Sequence, residues 1–101
     1  MSTLADAFDE LRGMFRDTTR TRLEEMLRYV DALEADPEDR DVMRKLARHF
    51  HGLAGLGTTY GYARISELGE LGEMQMATGM MAFARWREII GAVANEIEPE
   101  A

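Results

Sequence analysis

Cysteine is absent from the 101 residues and proline occurs only twice. Without a thiol there is neither a disulfide nor a thiolate metal site, so stability has to come from packing alone. Cations are also scarce: 12 Lys and Arg stand against 19 Asp and Glu, a net charge of −7. Phosphate backbones are held mainly by Lys and Arg, so this balance argues against a nucleic-acid partner and for a protein one. No apolar run approaches the roughly 18 residues of a membrane span, and no membrane partner is expected. The opening residues MSTLADAFDEL lack the basic start and apolar block of a secretory signal, which points to the cytoplasm. Period-two runs of β-branched residues are missing as well, which excludes a sheet.

What is present is helical spacing throughout. Residues 1–101 read as a single domain, large enough for one core and one partner surface. Leu4, Phe8, Leu11 and Phe15 form a first stripe, and Gly13 suggests that it belongs to a short opening helix. After RDTT, where Asp17 or Thr18 can cap, Leu23, Met26, Val30 and Leu33 predict a stronger second helix. Asp36 as N-cap with Pro37 at the first helical position predicts a third helix through Val42, Leu46, Phe50 and Leu53. Tyr62, Ile65, Leu68 and Met76 mark a fourth, with Gly69 and Gly72 on its inner face. Gly79 then separates it from a last helix carrying Phe83, Trp86, Ile90, Val93 and Ile97, and EIEPEA reads as a frayed acidic end. The expectation is an all-α fold: an antiparallel four-helix bundle with a short additional N-terminal helix. Met14, Met26 and Met43 read as core filling, whereas Met74, Met80 and Met81 are open to either packing or a partner surface.

The stretch RHFHGLAGLGTTYG, residues 48–61, sits where the third helix should be strongest, yet it holds Gly52, Gly55, Gly57 and Gly61. Each interior glycine costs a helix roughly 0.5–1 kcal/mol relative to alanine. At about 100° per residue, His49 falls roughly 70° from the centre of the core face, and His51 about 130° away on the solvent side. The surface neighbours of His51 are Arg44, Ala47, Arg48, Ala54, Gly55 and Thr58, small residues with cations on one side. Another protein can approach such an imidazole closely; the alternative is an ordinary exposed histidine near a fraying helix end.

Other chemistries fit less well. The glycine spacing of GLGTTYG is not that of a dinucleotide loop, and no Gly-Lys dipeptide offers a Walker-type loop, so no nucleotide site is expected. His49 and His51 diverge by about 160° on a helix and cannot share a metal. Ser2 and Ser66 have no histidine near them in sequence to activate them as nucleophiles.

His51-x-Leu53-x-Gly55, then Gly61, Ala63, Leu68, Leu71 and Glu73, resembles the histidine-containing phosphotransfer (HPt) domain. The likeness covers the third and fourth helices by motif and the whole chain by architecture and length. It implies a phosphocarrier of a two-component phosphorelay rather than a stand-alone enzyme, with His51 accepting a phosphoryl group from a receiver-domain aspartate and passing it to another receiver. Glu73 then matches the position of a Gln or Glu that orients the imidazole. Gly55 leaves room for the phosphoryl group, and Gly61 closes the helix. Arg48 and Arg44 become candidates for phosphoryl stabilisation, and Ala47, Ala54, Gly55 and Thr58 the partner-binding surface. The family usually carries lysine where this chain has Ala54. That departure keeps a second reading open, an unphosphorylated adaptor or inhibitor that binds a receiver or histidine kinase. A plain structural or dimerisation module using Met74, Met80 and Met81 is a third. The implied partners are response-regulator receiver domains and a hybrid histidine kinase, with Mg²⁺ on the receiver and no cofactor or metal on this chain, which is expected to be a monomer.

Overall fold

The first helix begins on a reciprocal cap. In a computed structural model that describes residues 3–98, the Thr3 hydroxyl accepts from Asp6 N at 3.1 Å, and the Asp6 carboxylate accepts from Thr3 N at 3.2 Å. This satisfies two donors that a helix start leaves unpaired. From there α1 runs unbroken over Leu4–Ala35. The expected break at Gly13 does not occur, and the short opening helix and the second helix are one. A single glycine costs about 1 kcal/mol, too little to interrupt a hydrogen-bond ladder supported on both sides. Asp17, expected as a cap, instead pairs with Arg20 at 2.5 Å, and Thr19 is buried in the core.

The second correction concerns the next helix. Asp36 ends α1, and its side chain accepts from Glu38 N around Pro37. Asp39 is the N-cap, its carboxylate accepting from Asp41 N and Val42 N, both at 3.1 Å, and α2 spans Arg40–Leu56. With the Asp36 carboxylate turned into that local bond, the next aspartate in the chain, Asp39, is the one free to cap. A single 3₁₀ turn, Thr58–Tyr60, follows and closes on Gly61 at φ 85°, the left-handed region where glycine is favoured. The helices α3, Ala63–Ala77, and α4, Phe83–Ile97, fall where the sequence spacing puts them, separated at Gly79 with φ 77°. The proposed frayed end lies partly outside the described residues.

Helix α1 packs against α2 and α4, and α3 closes the ring between them. The fold is thus an all-helical bundle, with no strand among the described residues. Its centre holds Trp86, Phe50, Met26, Leu33, Ile65 and Val93, all fully buried. Met14, expected in the core, is on the surface. No helix of the described residues is long and apolar enough to cross a membrane.

The pairing of α2 with α3 is the closest contact, and glycine causes it. A Cβ on Gly69 would stand 2.4 Å from Ala54 N, and one on Gly72 would stand 2.2 Å from the Phe50 ring. Any larger residue would push the two helices apart. Because the backbones approach this closely, a side chain leaving the outer edge of α2 can reach one leaving the outer edge of α3.

Candidate functional site

The two histidines leave α2 in different directions and meet opposite surroundings. His49 turns toward α1. Its Nδ1 lies 3.0 Å from Arg22 Nη1 and its Nε2 2.9 Å from Glu25 Oε2. A guanidinium only donates and a carboxylate only accepts, so Nδ1 accepts from Arg22 and Nε2–H donates to Glu25, which fixes a neutral tautomer. The ring stacks on Tyr29 at 5.7 Å, and the Tyr29 hydroxyl donates to Glu25 Oε1 at 2.9 Å. Burial pushes the His49 pKa below its ordinary value, and the Arg22 charge adds to the effect. The hydroxyl of Tyr29 is the main cause holding the Glu25 carboxyl below the usual carboxylate range. Gly52 belongs to this cluster: a Cβ there would stand 2.5 Å from Arg22 Nη1.

His51 turns outward, its side chain 78% exposed against 19% for His49. One partner holds it: Nδ1 lies 2.9 Å from Oε2 of Glu73 on α3. The carboxylate accepts, so Nδ1 carries the proton and the lone pair of Nε2 points away with no partner among the described residues. Contact between α2 and α3 at Gly69 and Gly72 is what brings Glu73 within reach.

The glycines now separate by cause. Gly52 makes room for Arg22, and Gly57 lies where a Cβ would stand 2.6 Å from Ser66 N. Gly61 is required by its positive φ. Gly55 has no such reason: a Cβ there meets nothing within 4 Å. It is an exposed residue one turn beyond His51, and packing does not demand that it be small.

The remaining expected site residues are distributed around this pair. Thr58 is exposed, Ala47 is half-buried, and Ala54 is half-buried with its backbone against Gly69. Arg44 lies 3.5 Å from Asp41, which also takes Lys45 at 3.1 Å. Arg48 is exposed and has no ion-pair partner among the described residues. Sequence reasoning missed a shallow apolar groove beside Glu73. It encloses about 350 Å³ and is lined by Met43, Arg44, Ala47, Glu73, Met76 and Ala77. A neighbouring depression joins Met43 and Arg44 to Pro37, Arg40 and Met81. Helical spacing alone read Met43 and Met76 as core, because a residue at the edge of an apolar stripe has the same period as one at its centre.

A buried, doubly held imidazole and an exposed, singly held one with a free Nε2 stand two residues apart, and only the second can meet a reagent from solution. The family model of the Hpt domain matches residues 10–98. The chain belongs to the Hpt domain family, and with it to the phosphotransfer apparatus of two-component signalling. No curated protein and no solved structure matches it.

Proposed function

We propose that the chain is a histidine phosphotransfer protein, an antiparallel four-helix bundle in which His51 accepts a phosphoryl group from a receiver-domain aspartate and passes it to a second receiver. The observation that carries this reading is the Nδ1–H bond to Glu73, which leaves Nε2 of an exposed ring as the nucleophile. In the forward step the Nε2 lone pair forms the N–P bond as the P–O bond of the aspartyl phosphate breaks, and the receiver carboxylate leaves. The ring then holds a phosphoryl group on Nε2 and a proton on Nδ1. Its developing positive charge is balanced by the Glu73 carboxylate already in contact.

Phosphoryl transfer needs alignment and charge stabilisation more than covalent machinery, so a small domain suffices when the partner receiver brings Mg²⁺ and its own carboxylates. Arg48, with no ion-pair partner among the described residues and one turn before His51, is the nearer candidate to face the transferred group; Arg44 is already paired with Asp41. Gly55, Thr58, Ala47 and Ala54 offer a low surface for receiver docking, and the basic side chains complement an acidic pocket. Ala54, where the family usually has lysine, favours a second reading in which the chain binds a receiver or histidine kinase without being phosphorylated.

Incubation with a panel of phosphorylated receiver domains tests the choice. Acid-labile label should reach the wild type and His49→Gln but not His51→Gln. Binding without transfer by any receiver establishes the adaptor instead, and label that survives His51→Gln rejects the site.

A further inference from the structure

The groove beside Glu73 is joined to His51 by more than nearness. Met43 and Ala47 of α2 and Met76 and Ala77 of α3 give it an apolar lining. Glu73 lines it as well and also holds Nδ1 of His51, so groove and imidazole share one residue as a wall. Met43 and Arg44 continue it into the depression at Pro37 and Met81. The core does not need these side chains at full depth: Met43 and Met76 touch it from the edge and stay half-buried, and Ala77 is exposed.

A protein that reaches Nε2 of His51 has to cover more than the ring. A specific interface takes about 800 Å² from each partner, a round patch about 16 Å in radius. Along α2, Ala47 is about 6 Å and Met43 about 12 Å from His51. A receiver whose aspartate meets Nε2 therefore reaches the groove unless its bulk lies wholly on the other side, over Gly55 and Thr58. Two differences favour the groove side. The first is shape: the groove is hollow and apolar, whereas Gly55, Thr58 and Thr59 are exposed and bare or polar. The second is charge. Residues 44–48 carry Arg44, Lys45 and Arg48 with no acid among them, and Asp41 is the acid that Arg44 and Lys45 share. On the other side the exposed acids Glu70 and Glu67 stand one and two turns before Glu73 on α3, and Arg64 is the cation paired to Glu67. Carboxylates that a receiver gathers around its phosphorylated aspartate are drawn to the first set and repelled by the second. Thioether side chains also repack around unlike shapes, which suits a carrier that has to fit two receivers in turn.

We propose that a receiver domain docks from the Met43–Met76 side of His51 and seats an apolar surface in the groove, so that the groove sets receiver affinity while His51 and Glu73 set the rate of transfer. The identity of the occupant rests on the phosphotransfer reading; the part the groove plays in docking is measured apart from the chemistry.

Two measurements on the full chain, with the same panel of receiver domains, keep docking and chemistry apart. One is single-turnover transfer over a range of phosphorylated receiver. The other is calorimetric titration of unphosphorylated receiver onto His51→Gln, which can bind and cannot react. Ala77→Glu sets a carboxylate in the groove at an exposed position, and in both measurements it should weaken receiver affinity about tenfold or more. The rate at saturating receiver should stay within about twofold of the wild type, with an unchanged melting temperature. Met43→Gln, close in shape, should weaken affinity by less. Leu56→Glu replaces the large apolar residue that α2 exposes past His51, and should leave affinity as it is. Unchanged affinity in Ala77→Glu overturns the proposal, as does a saturated rate that falls while affinity holds. A larger loss of affinity in Leu56→Glu than in Ala77→Glu also overturns it and puts the receiver on the other side. Binding that depends on the groove without label transfer from any receiver keeps the docking and rejects the phosphotransfer reading; no binding by any receiver rejects both. Sedimentation of the chain alone should give the mass of one chain, and a two-chain mass that Ala77→Glu abolishes assigns the groove to a second copy instead.

Discussion

His49 and His51 share a helix, a residue type and nearly a position, and differ in everything that decides their chemistry. His49 has both ring nitrogens occupied, a tyrosine on its face and a pKa depressed by burial. His51 has one nitrogen occupied and the other free in solvent. A ring held at both nitrogens fastens α1 to α2. A ring held at one is oriented and still reactive. Two positions on a helix turn the chain through about 200°, which is enough to exchange a structural role for a chemical one.

The sharpest way to break this comparison is to remove each ring in turn. His51→Gln should abolish phosphoryl acceptance from a receiver and leave the melting temperature unchanged, because the side chain supports no core contact. Removing the orienting group should cost less. A hydrogen bond to a charged group contributes about 1.5–3 kcal/mol, so Glu73→Ala should slow transfer roughly 10- to 100-fold. Glu73→Gln, which can still accept from Nδ1–H, should fall between Ala and the wild type in single-turnover assays. Equal rates for all three would deny Glu73 its positioning role.

The glycines extend the comparison from rings to backbone. Gly72→Ala drives a methyl group into Phe50, and overpacking of this kind costs about 1–3 kcal/mol. Gly55→Ala meets open space and should gain about 0.5–1 kcal/mol of helix propensity. Thermal melts of the two variants should therefore move in opposite directions. Gly55→Leu should also fold, yet slow transfer by about tenfold or more if a receiver has to lie against that surface.

Much of this was legible in the sequence because it depends on period. The last two helices, the small inner face at Gly69 and Gly72, and the outward aim of His51 all follow from counting residues along a helix. What was not legible depends on competition between neighbours. Gly13 looked like a terminator, but the flanking hydrogen-bond ladder outweighed it. Asp36 and Asp39 were both adequate caps, and only the local bond around Pro37 determined which was free. The clamp on His49 was invisible for another reason: Arg22 and Glu25 lie 27 and 24 residues away and meet the ring only after α1 and α2 pack. The groove of Met43 and Met76 required knowing where the bundle ends.

That clamp gives the cleanest contrast with His51. Burial first, and then the Arg22 charge, favours the neutral His49 ring in the folded chain, so its folded pKa lies below the ordinary 6.5. As pH falls below about 6.5 the unfolded chain takes up this proton before the folded one, and unfolding becomes more favourable. The stabilisation is therefore complete above that pH and is lost as pH falls toward the folded pKa. His49→Ala removes the ring from between Arg22 and Glu25 and should cost about 1 kcal/mol at pH 8. It should also flatten the dependence of stability on pH below about 6.5, where the unfolded chain takes up the proton first. Urea unfolding at several pH values measures both. A pH dependence that stays as steep in His49→Ala as in the wild type would place the acid sensitivity elsewhere and deny the clamp its part in it.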